Sequence, residues 1–330
     1  MTKQTFRNFA LAMGLLALAL IPSTSWAQVG LASKLPGKNP TTAAVQAVNH
    51  QTMAQGAPSY TFTLLSFPGS LDTVAEGINL GATTSKMEIV GAAGQGGFLA
   101  RVSGKKTVSE AYQAVNYSHG PDPQTPFAVN DSGQIVGAYD DYDQGYERSG
   151  GKFTPIAVPF AGAQGTFPYG INNSGEIVGG WWDSNKIEHG FTLIAGTYTS
   201  FDYPGASETS GFAINSAGDI VGPYSDASGV EHAFLLSGGT FTSFDFPGAD
   251  FTVANGINDA GDIVGIYCTT TECISTSEGE QGFLLSAGVS TTITIPGEYY
   301  TAADGINNNG VVVGFYEDVA GLYVSFLATP

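Results

Sequence analysis

The sequence is poor in positive charge, in cysteine and in long apolar runs. It carries 11 Lys and Arg against 29 Asp and Glu, a formal net charge of −18, and no Lys or Arg follows Lys186. Nucleic-acid binding requires a basic surface that neutralises phosphates, so this class of function is excluded. Anionic lipid surfaces are disfavoured for the same reason. The acidity favours solubility and the binding of cations.

The one long apolar run lies near the N-terminus, from Phe9 to Ile21. It is too short to span a bilayer, which requires about 20 residues. Lys3 and Arg7 precede it, and residues 25–27 offer small side chains for cleavage after Ala27. We predict a signal peptide over residues 1–27, with a retained membrane anchor as the alternative. The prediction places the protein in the extracellular space or the periplasm, with no membrane insertion after cleavage.

The two cysteines, Cys268 and Cys273, are close together in the chain. In an exported protein such a pair favours a disulfide. Closing so small a loop would stabilise the fold by roughly 2 kcal/mol at most. Two isolated cysteines without a nearby histidine make neither a zinc site nor an activated thiol nucleophile.

One phrase, Ile-Asn-x-x-Gly-x-Ile-Val-Gly, occurs in six near-copies. Its Asn residues are Asn79, Asn130, Asn172, Asn215, Asn258 and Asn307, mostly about 43 residues apart. A fixed period in this range is typical of repeat architectures. A residue that recurs in every copy serves the repeat, whereas a residue found in one copy is a candidate for function.

Each copy has the pattern of four short strands. In one copy they cover residues 211–215, 219–224, 231–237 and 240–246, separated by Gly-containing turns. Four strands in about 43 residues are typical of one blade of a β-propeller. We therefore predict an all-β, six-bladed β-propeller of four-stranded blades, with a β-solenoid or a sandwich as the alternative.

The two ends of the repeat region complement each other. Residues 60–67 form a fourth strand without its first three, and residues 322–328 form a third strand without its fourth. We predict that the N-terminal strand 60–67 completes the sixth blade and closes the ring, because closure removes exposed sheet edges. Residues 28–59 then form a linker or disordered leader, and residues 60–330 a single propeller domain, expected to be a monomer.

Two tripeptides point to a known family. His232-Ala233-Phe234 and His189-Gly190-Phe191 follow the repeated phrase, and the segment Phe-Asp-x-Pro-Gly-Ala occurs at residues 201–206 and 244–249. This pattern resembles the HAF family of extracellular repeat proteins over most of residues 60–330. Copies one, two and six depart from it, with Gly-Gly-Phe, Gln-Gly-Tyr and Val-Ser-Phe in place of the tripeptide. The resemblance implies export and a propeller-like fold, and it implies no catalytic residues.

Several recurring residues allow both a structural and a functional interpretation. The six Asn side chains suit turn stabilisation, or alternatively a ring of amides around a central channel. His189 and His232 occupy the same repeat position, which predicts a blade-to-blade hydrogen bond or, alternatively, a shared metal site. An aromatic residue also recurs two places after the second-strand Gly, which predicts packing between blades. These aromatic residues are Tyr139, Trp181, Tyr224, Tyr267 and Tyr316.

Features found in one copy give the candidate site. Trp182 is an extra aromatic beside Trp181, and the pair could form a sugar-stacking platform. Asp141 and Asp143 resemble the start of a calcium loop, but a third ligand and a distant Glu are missing, so a solvated turn is the alternative. The ligand-binding candidates are Asp141, Asp143, Trp181 and Trp182. The one cofactor that the sequence suggests is calcium, bound at Asp141 and Asp143.

The variable loops fall on one face of the predicted ring, and loops on rigid scaffolds carry function. We therefore predict an exported, non-enzymatic binding scaffold for a glycan or a protein. The alternatives are a carbohydrate hydrolase or lyase with a site assembled across blades, and a purely structural surface protein. A pair of unrepeated, close acids with raised pKa in the centre of the ring would favour the enzyme.

Overall fold

The computed structural model describes residues 47–48, 60–81, 87–94, 96–102, 111–115, 124–139, 144–270, 279–295, 297–298 and 300–330. The predicted signal peptide lies outside these ranges. Within them, no helix is long and apolar enough to cross a membrane.

The compact unit that contains the repeats consists of six antiparallel sheets, one for each copy. Blade 1 contains β3 (Thr73–Ile78), β4 (Met87–Ala93), β5 (Gly96–Val102) and β6 (Ala111–Val115). Blade 2 contains β7 (Thr125–Val129), β8 (Ile135–Tyr139), β9 (Gln144–Ser149) and β10 (Lys152–Ile156). Blade 3 contains β11 (Gly165–Ile171), β12 (Ile177–Trp182), β13 (Glu188–Ile194) and β14 (Thr197–Phe201).

The other three blades follow the same order. Blade 4 contains β15 (Glu208–Thr209), β16 (Ala213–Ile214), β17 (Ile220–Ser225), β18 (Glu231–Ser237) and β19 (Thr240–Phe244). Blade 5 contains β20 (Phe251–Ile257), β21 (Ile263–Cys268), β22 (Gln281–Ser286) and β23 (Val289–Ile293). Blade 6 contains β24 (Tyr300–Ile306), β25 (Val312–Glu317), β26 (Tyr323–Thr329) and the N-terminal β2 (Thr61–Leu65).

These blades form a six-bladed β-propeller, as the sequence predicts. The ring closes through β2, which pairs with β26 from Thr61 opposite Thr329 to Leu65 opposite Ser325. The predicted closure by the N-terminal strand is therefore confirmed. Two residues of the predicted leader also join this sheet, because β1 (Ala47–Val48) pairs with the outer edge of β2.

A large aromatic side chain on the third strand of every blade fills the core. Each of these rings is less than 2% exposed, and they are Phe98, Tyr146, Phe191, Phe234, Phe283 and Phe326. Burying one such side chain contributes roughly 1.5–3 kcal/mol to stability. The third residue of the tripeptide is thus aromatic in every copy, including the copies whose first two residues depart from the HAF pattern.

The repeated Asn stabilises the turn between the first two strands and ties that turn to the next blade. In blade 3, Asn172 Oδ1 accepts hydrogen bonds from the backbone N–H of Ser174 and Glu176, each at 3.0 Å. Its Nδ2 donates to the carbonyl oxygen of Asn215 in blade 4, also at 3.0 Å. The same pattern repeats through Asn215 and Asn258. These bonds support the structural interpretation of the Asn ring.

Candidate functional site

The innermost strand of five blades contains a β-bulge at the same place. The ladder skips one residue of each strand, and the skipped residues are Glu76, Phe127, Tyr169, Asn255 and Asp304. Phe212 occupies the corresponding place in blade 4, in the gap between β15 and β16. A bulge re-aims the side chain of its extra residue. We call these six side chains the axial ring, because each stands on the strand that borders the propeller axis.

The inner strands of neighbouring blades approach closely beside the axial ring. A Cβ added to Gly170 would lie 2.8 Å from the Phe212 carbonyl oxygen, and one added to Gly305 would lie 3.2 Å from the backbone nitrogen of Ile78. Glycine is therefore required here by the approach of the next backbone. This spacing brings the axial side chains of adjacent blades into contact with one another.

The axial ring has two chemically different halves. In blades 2–4 it is aromatic, since the Tyr169 ring lies 5.1 Å from the Phe127 ring and 4.9 Å from the Phe212 ring between centroids. In blades 5, 6 and 1 it is polar, since Asn255 Nδ2 donates a 3.1 Å hydrogen bond to Asp304 Oδ1. Glu76 of blade 1 follows Asp304 of blade 6 around the ring.

The two axial acids resist ionisation. Burial, and secondarily the charge of Asp304, raise the pKa of Glu76 well above its usual value. Burial likewise raises the pKa of Asp304, against a hydrogen bond from Asn255 that lowers it. Asp304 Oδ2 is fully buried and has no hydrogen-bond partner. Because two neighbouring carboxylates ionise together only at a high cost, the charge of each acid opposes ionisation of the other.

A second layer of groups lies at the end of the channel where the inner strands begin. Trp182 pairs in register with Gly165 on one side and with Glu188 on the other, which places the end of β12 at this mouth. The Trp182 ring lies 4.7 Å from Phe167, and Phe167 stacks on Tyr169 at 6.0 Å and 12°. A ladder of aromatic faces therefore runs from the mouth to the axial ring.

Glu188 is the acid at the mouth beside this ladder. Burial raises its pKa to about 7, and the charges of Glu208 and Glu231 add to the rise. Hydrogen bonds from Ser210 and Trp182 act in the opposite direction on this pKa. The Ser210 hydroxyl, on the inner strand of blade 4, donates to Glu188 Oε1 at 2.7 Å.

Two tyrosines link the mouth with the axial ring. Burial raises the pKa of Tyr169 well above its usual value, and the charges of Glu188 and Glu76 add to this effect. The pKa of Tyr300 is raised by burial and then by the charges of Glu280 and Asp304, among others. Both tyrosines therefore lie within electrostatic reach of Glu76, and we call the space between the axial ring and these acids the axial pocket.

Of the four residues predicted to bind a ligand, the structure describes two, Trp181 and Trp182. Asp141 and Asp143 lie outside the described residues, so calcium there stays a prediction. Trp181 is 8% exposed, and its Nε1 donates to Ser200 Oγ at 3.0 Å while its ring packs on Phe160 at 5.0 Å. Trp181 is thus a packing residue of the core. Trp182 is partly exposed at the mouth, with Lys186 Nζ 4.9 Å from its ring centroid.

The histidine prediction requires a correction. His189 and His232 do not bond from blade to blade, because each contacts an acid of its own blade. His189 Nδ1 lies 2.9 Å from Asp202 Oδ1, and His232 Nδ1 lies 3.0 Å from Asp245 Oδ2. The cause is the pairing of the third and fourth strands, which brings the ends of these strands side by side. Among the described residues, no group of three or more His, Cys, Asp or Glu could hold a metal ion.

The structure describes one of the two cysteines that are predicted to form a disulfide. Cys268 is buried at the end of β21, and its Sγ accepts a 3.3 Å hydrogen bond from the Thr270 backbone N–H. Its predicted disulfide partner, Cys273, lies outside the described residues. The disulfide therefore stays a prediction.

Reasoning from the sequence missed the axial ring. A signal was present, because the residue three places before the Asn is flanked by small or cyclic residues in all six copies. At that one place the copies hold two acids, an amide and three aromatics. The flanks keep the bulge and the close backbone approach, while the residue between them is free to vary.

No family model matches the chain, and no curated protein does. Its fold is similar to that of AofleA from Arthrobotrys oligospora, with a TM-score of 0.51 at 11% identity over 83% of this chain and 88% of that one. A catalytically inactive virginiamycin B lyase from Staphylococcus aureus has a TM-score of 0.49 at 10% identity, over 82% of this chain and 100% of that chain. TolB from Acinetobacter baumannii has a TM-score of 0.48 at 13% identity, over 79% of this chain and 65% of that one. At such identities the likeness shows the propeller fold alone.

Proposed function

We propose that this protein is an exported, non-enzymatic HAF-type propeller that binds a glycan of the extracellular space or the cell envelope in its axial pocket. The observation that carries the proposal is the axial ring, in which five bulged positions and Phe212 of blade 4 place three aromatic and three hydrogen-bonding side chains around the same axis. Sugar rings need both, because their C–H faces stack on aromatics and their hydroxyls need polar partners.

The ladder of Trp182, Phe167 and Tyr169 supports a glycan in particular. Trp182 and Tyr169 are partly exposed and offer stacking area at two depths, with the buried Phe167 packed between them. The Glu188 carboxyl beside them can accept a hydrogen bond from a sugar hydroxyl. A protein partner bound through the same mouth is the alternative. The proposal of export rests on the signal pattern of residues 1–27. The acidic net charge of the protein disfavours polyanionic ligands, because it repels them.

A carbohydrate-active hydrolase or lyase is the second candidate, and one observation favours it. Glu76 and Asp304 are close, unrepeated acids with raised pKa in the centre of the ring. Such pairs supply general acid and base in glycoside hydrolysis. Incubating any glycan that binds with the protein, and analysing the products, decides between binding and turnover.

Thermal unfolding of the exported protein against a panel of plant and envelope oligosaccharides tests the proposal, since a ligand of the folded state raises the melting temperature. Calcium and EDTA in the same panel test the cation prediction at Asp141 and Asp143. We expect a saturable rise with one class of glycan. We expect Trp182→Ala to weaken this binding about tenfold or more, because the glycan loses an aromatic ring on which it stacks. Tyr198→Ala removes a partly exposed aromatic from the outer strand of the same blade and is the matched control. A flat panel, or equal loss in both variants, would count against the axial pocket.

A further inference from the structure

Among the described residues, no Lys or Arg forms an ion pair with Glu76 or Asp304 of the axial pocket. The structure describes four Lys and Arg side chains, Arg101, Arg148, Lys152 and Lys186. Arg101 pairs with Glu88 at 2.8 Å, Arg148 lies over the Phe153 ring, and Lys186 lies over the Trp182 ring. The third-strand acids Glu188 and Glu280 are buried around the mouth, and they add to the negative potential of the axial pair.

Asp304 shows where a donor is missing. Its Oδ1 accepts the hydrogen bond from Asn255, whereas its Oδ2 is fully buried with no partner. A buried carboxylate oxygen without a donor is costly, because the protein interior replaces none of the hydrogen bonds of water. A ligand that brings a positively charged N–H group to Asp304 and Glu76 would relieve both this loss and the repulsion between the two acids.

The aromatic half of the ring fits the same ligand. In the order of the six blades, Tyr169 stands opposite Asp304 and Phe212 opposite Glu76. Aromatic faces attract cations as well as apolar sugar faces. A divalent metal ion suits the site less, since no group of three metal-ligating side chains occurs among the described residues. The aromatic ladder at the mouth favours a chain of flat rings over the thin stem of a lysine side chain.

From these contacts we propose that the axial pocket recognises an amino sugar with a free, protonated amine. Its ammonium group binds between Glu76 and Asp304, and its pyranose ring stacks on Tyr169. Further residues of the glycan then reach the mouth at Trp182. The inference rests on the proposed glycan-binding function and specifies the class of sugar.

Calorimetric titration with two tetrasaccharides tests the inference. The glucosamine tetramer carries free amines, and the N-acetylglucosamine tetramer has the same backbone without their charge. We expect the wild-type protein to bind the free-amine tetramer at least tenfold more tightly. We expect Asp304→Asn to remove that preference, leaving binding of the acetylated tetramer within about twofold of its wild-type value.

Two features make Asp304→Asn a clean variant. Blade 5 already carries an amide, Asn255, at the equivalent place, so the substitution is compatible with the bulge. Asp245→Asn makes the same change of charge at an exposed edge of blade 4 and is the matched control.

Equal or tighter binding of the acetylated tetramer would overturn the amine inference while leaving glycan binding intact. Tighter binding of a lysine oligomer, lost in Asp304→Asn, would overturn it in favour of a protein ligand. Failure of every glycan in the panel and of both tetramers would contradict the proposed function itself.

Discussion

Two positions of the repeat stand three residues apart and behave in opposite ways. The Asn position holds the same residue in all six blades, and in blades 2–5 its side chain is consumed by hydrogen bonds within the turn and to the next blade. The axial position holds acids, an amide and aromatics, and Asp304 keeps one buried oxygen without a partner. The comparison separates the scaffold from the chemistry. In blades 2–5 the uniform Asn residues satisfy one another, whereas the varied ring leaves an acid oxygen that a ligand can satisfy.

The largest effect is expected at the Asn position. Asn258→Ala removes two acceptor bonds in the turn, a bond to Asp262 and a bond to the Asn307 carbonyl oxygen. At about 1 kcal/mol for each bond, urea unfolding should show a loss of about 4 kcal/mol.

A matched control for this loss lies in the next blade. The buried Nδ2 of Asn307 has no hydrogen-bond partner in the part of the chain that the structure describes. Asn307→Ala should therefore cost about 2 kcal/mol less than Asn258→Ala, since it breaks only the two bonds to Asn309 and Val311. Equal losses would contradict a stabilising role for the blade-to-blade bond.

The next effect concerns the pH dependence of stability. The pKa of Glu188 is about 7 in the folded protein and close to 4.5 in the unfolded chain. The folded state thus binds more protons between these values, so stability is highest at the acidic end and falls as pH rises to 7. At 1.36 kcal/mol for each pH unit, the fall from this group is on the order of 3 kcal/mol. Glu188→Gln should flatten the slope in urea unfolding from pH 4.5 to 8, and a slope equal to that of the wild-type protein would contradict this contribution of Glu188.

A smaller effect of opposite sign is expected at Asp304. Asp304→Asn removes one of two acids that repel each other, so it should stabilise the protein by about 1 kcal/mol at pH 7.5. The gain should shrink toward pH 4, because protonation of the acids removes their repulsion. Unfolding curves at the two pH values check this, and a loss of stability at pH 7.5 would argue that Asp304 serves the fold. A gain accompanied by weaker ligand binding would mark the axial ring as a functional site that lowers stability.

Much of the fold could be predicted from the sequence. The third strand of blade 4, Glu231–Ser237, was predicted to the residue, because it lies between two turns with glycine. The break of the inner strand around Phe212 was not predicted, since a bulge depends on how the backbone of the next blade approaches. The closure of the ring followed from the complementary ends of the repeat region.

The site was predicted less well, for a physical reason. The search for unrepeated residues led to the loops and to Trp182, which does reach the mouth of the channel. It passed over Glu76 and Asp304, which are 228 residues apart in the chain and meet only when blade 6 closes on blade 1. The repulsion between these two acids and the unpartnered oxygen of Asp304 arise from that closure. The amino-acid sequence around either residue therefore cannot reveal them.

One titration tests the central claim that binding belongs to the axial ring and folding to the Asn ring. The glucosamine tetramer is titrated into the wild-type protein, Asp304→Asn and Asn307→Ala under identical conditions. The account predicts wild-type affinity in Asn307→Ala, despite its lower stability, and at least tenfold weaker binding in the more stable Asp304→Asn. Full affinity in Asp304→Asn, with loss in Asn307→Ala, would contradict it.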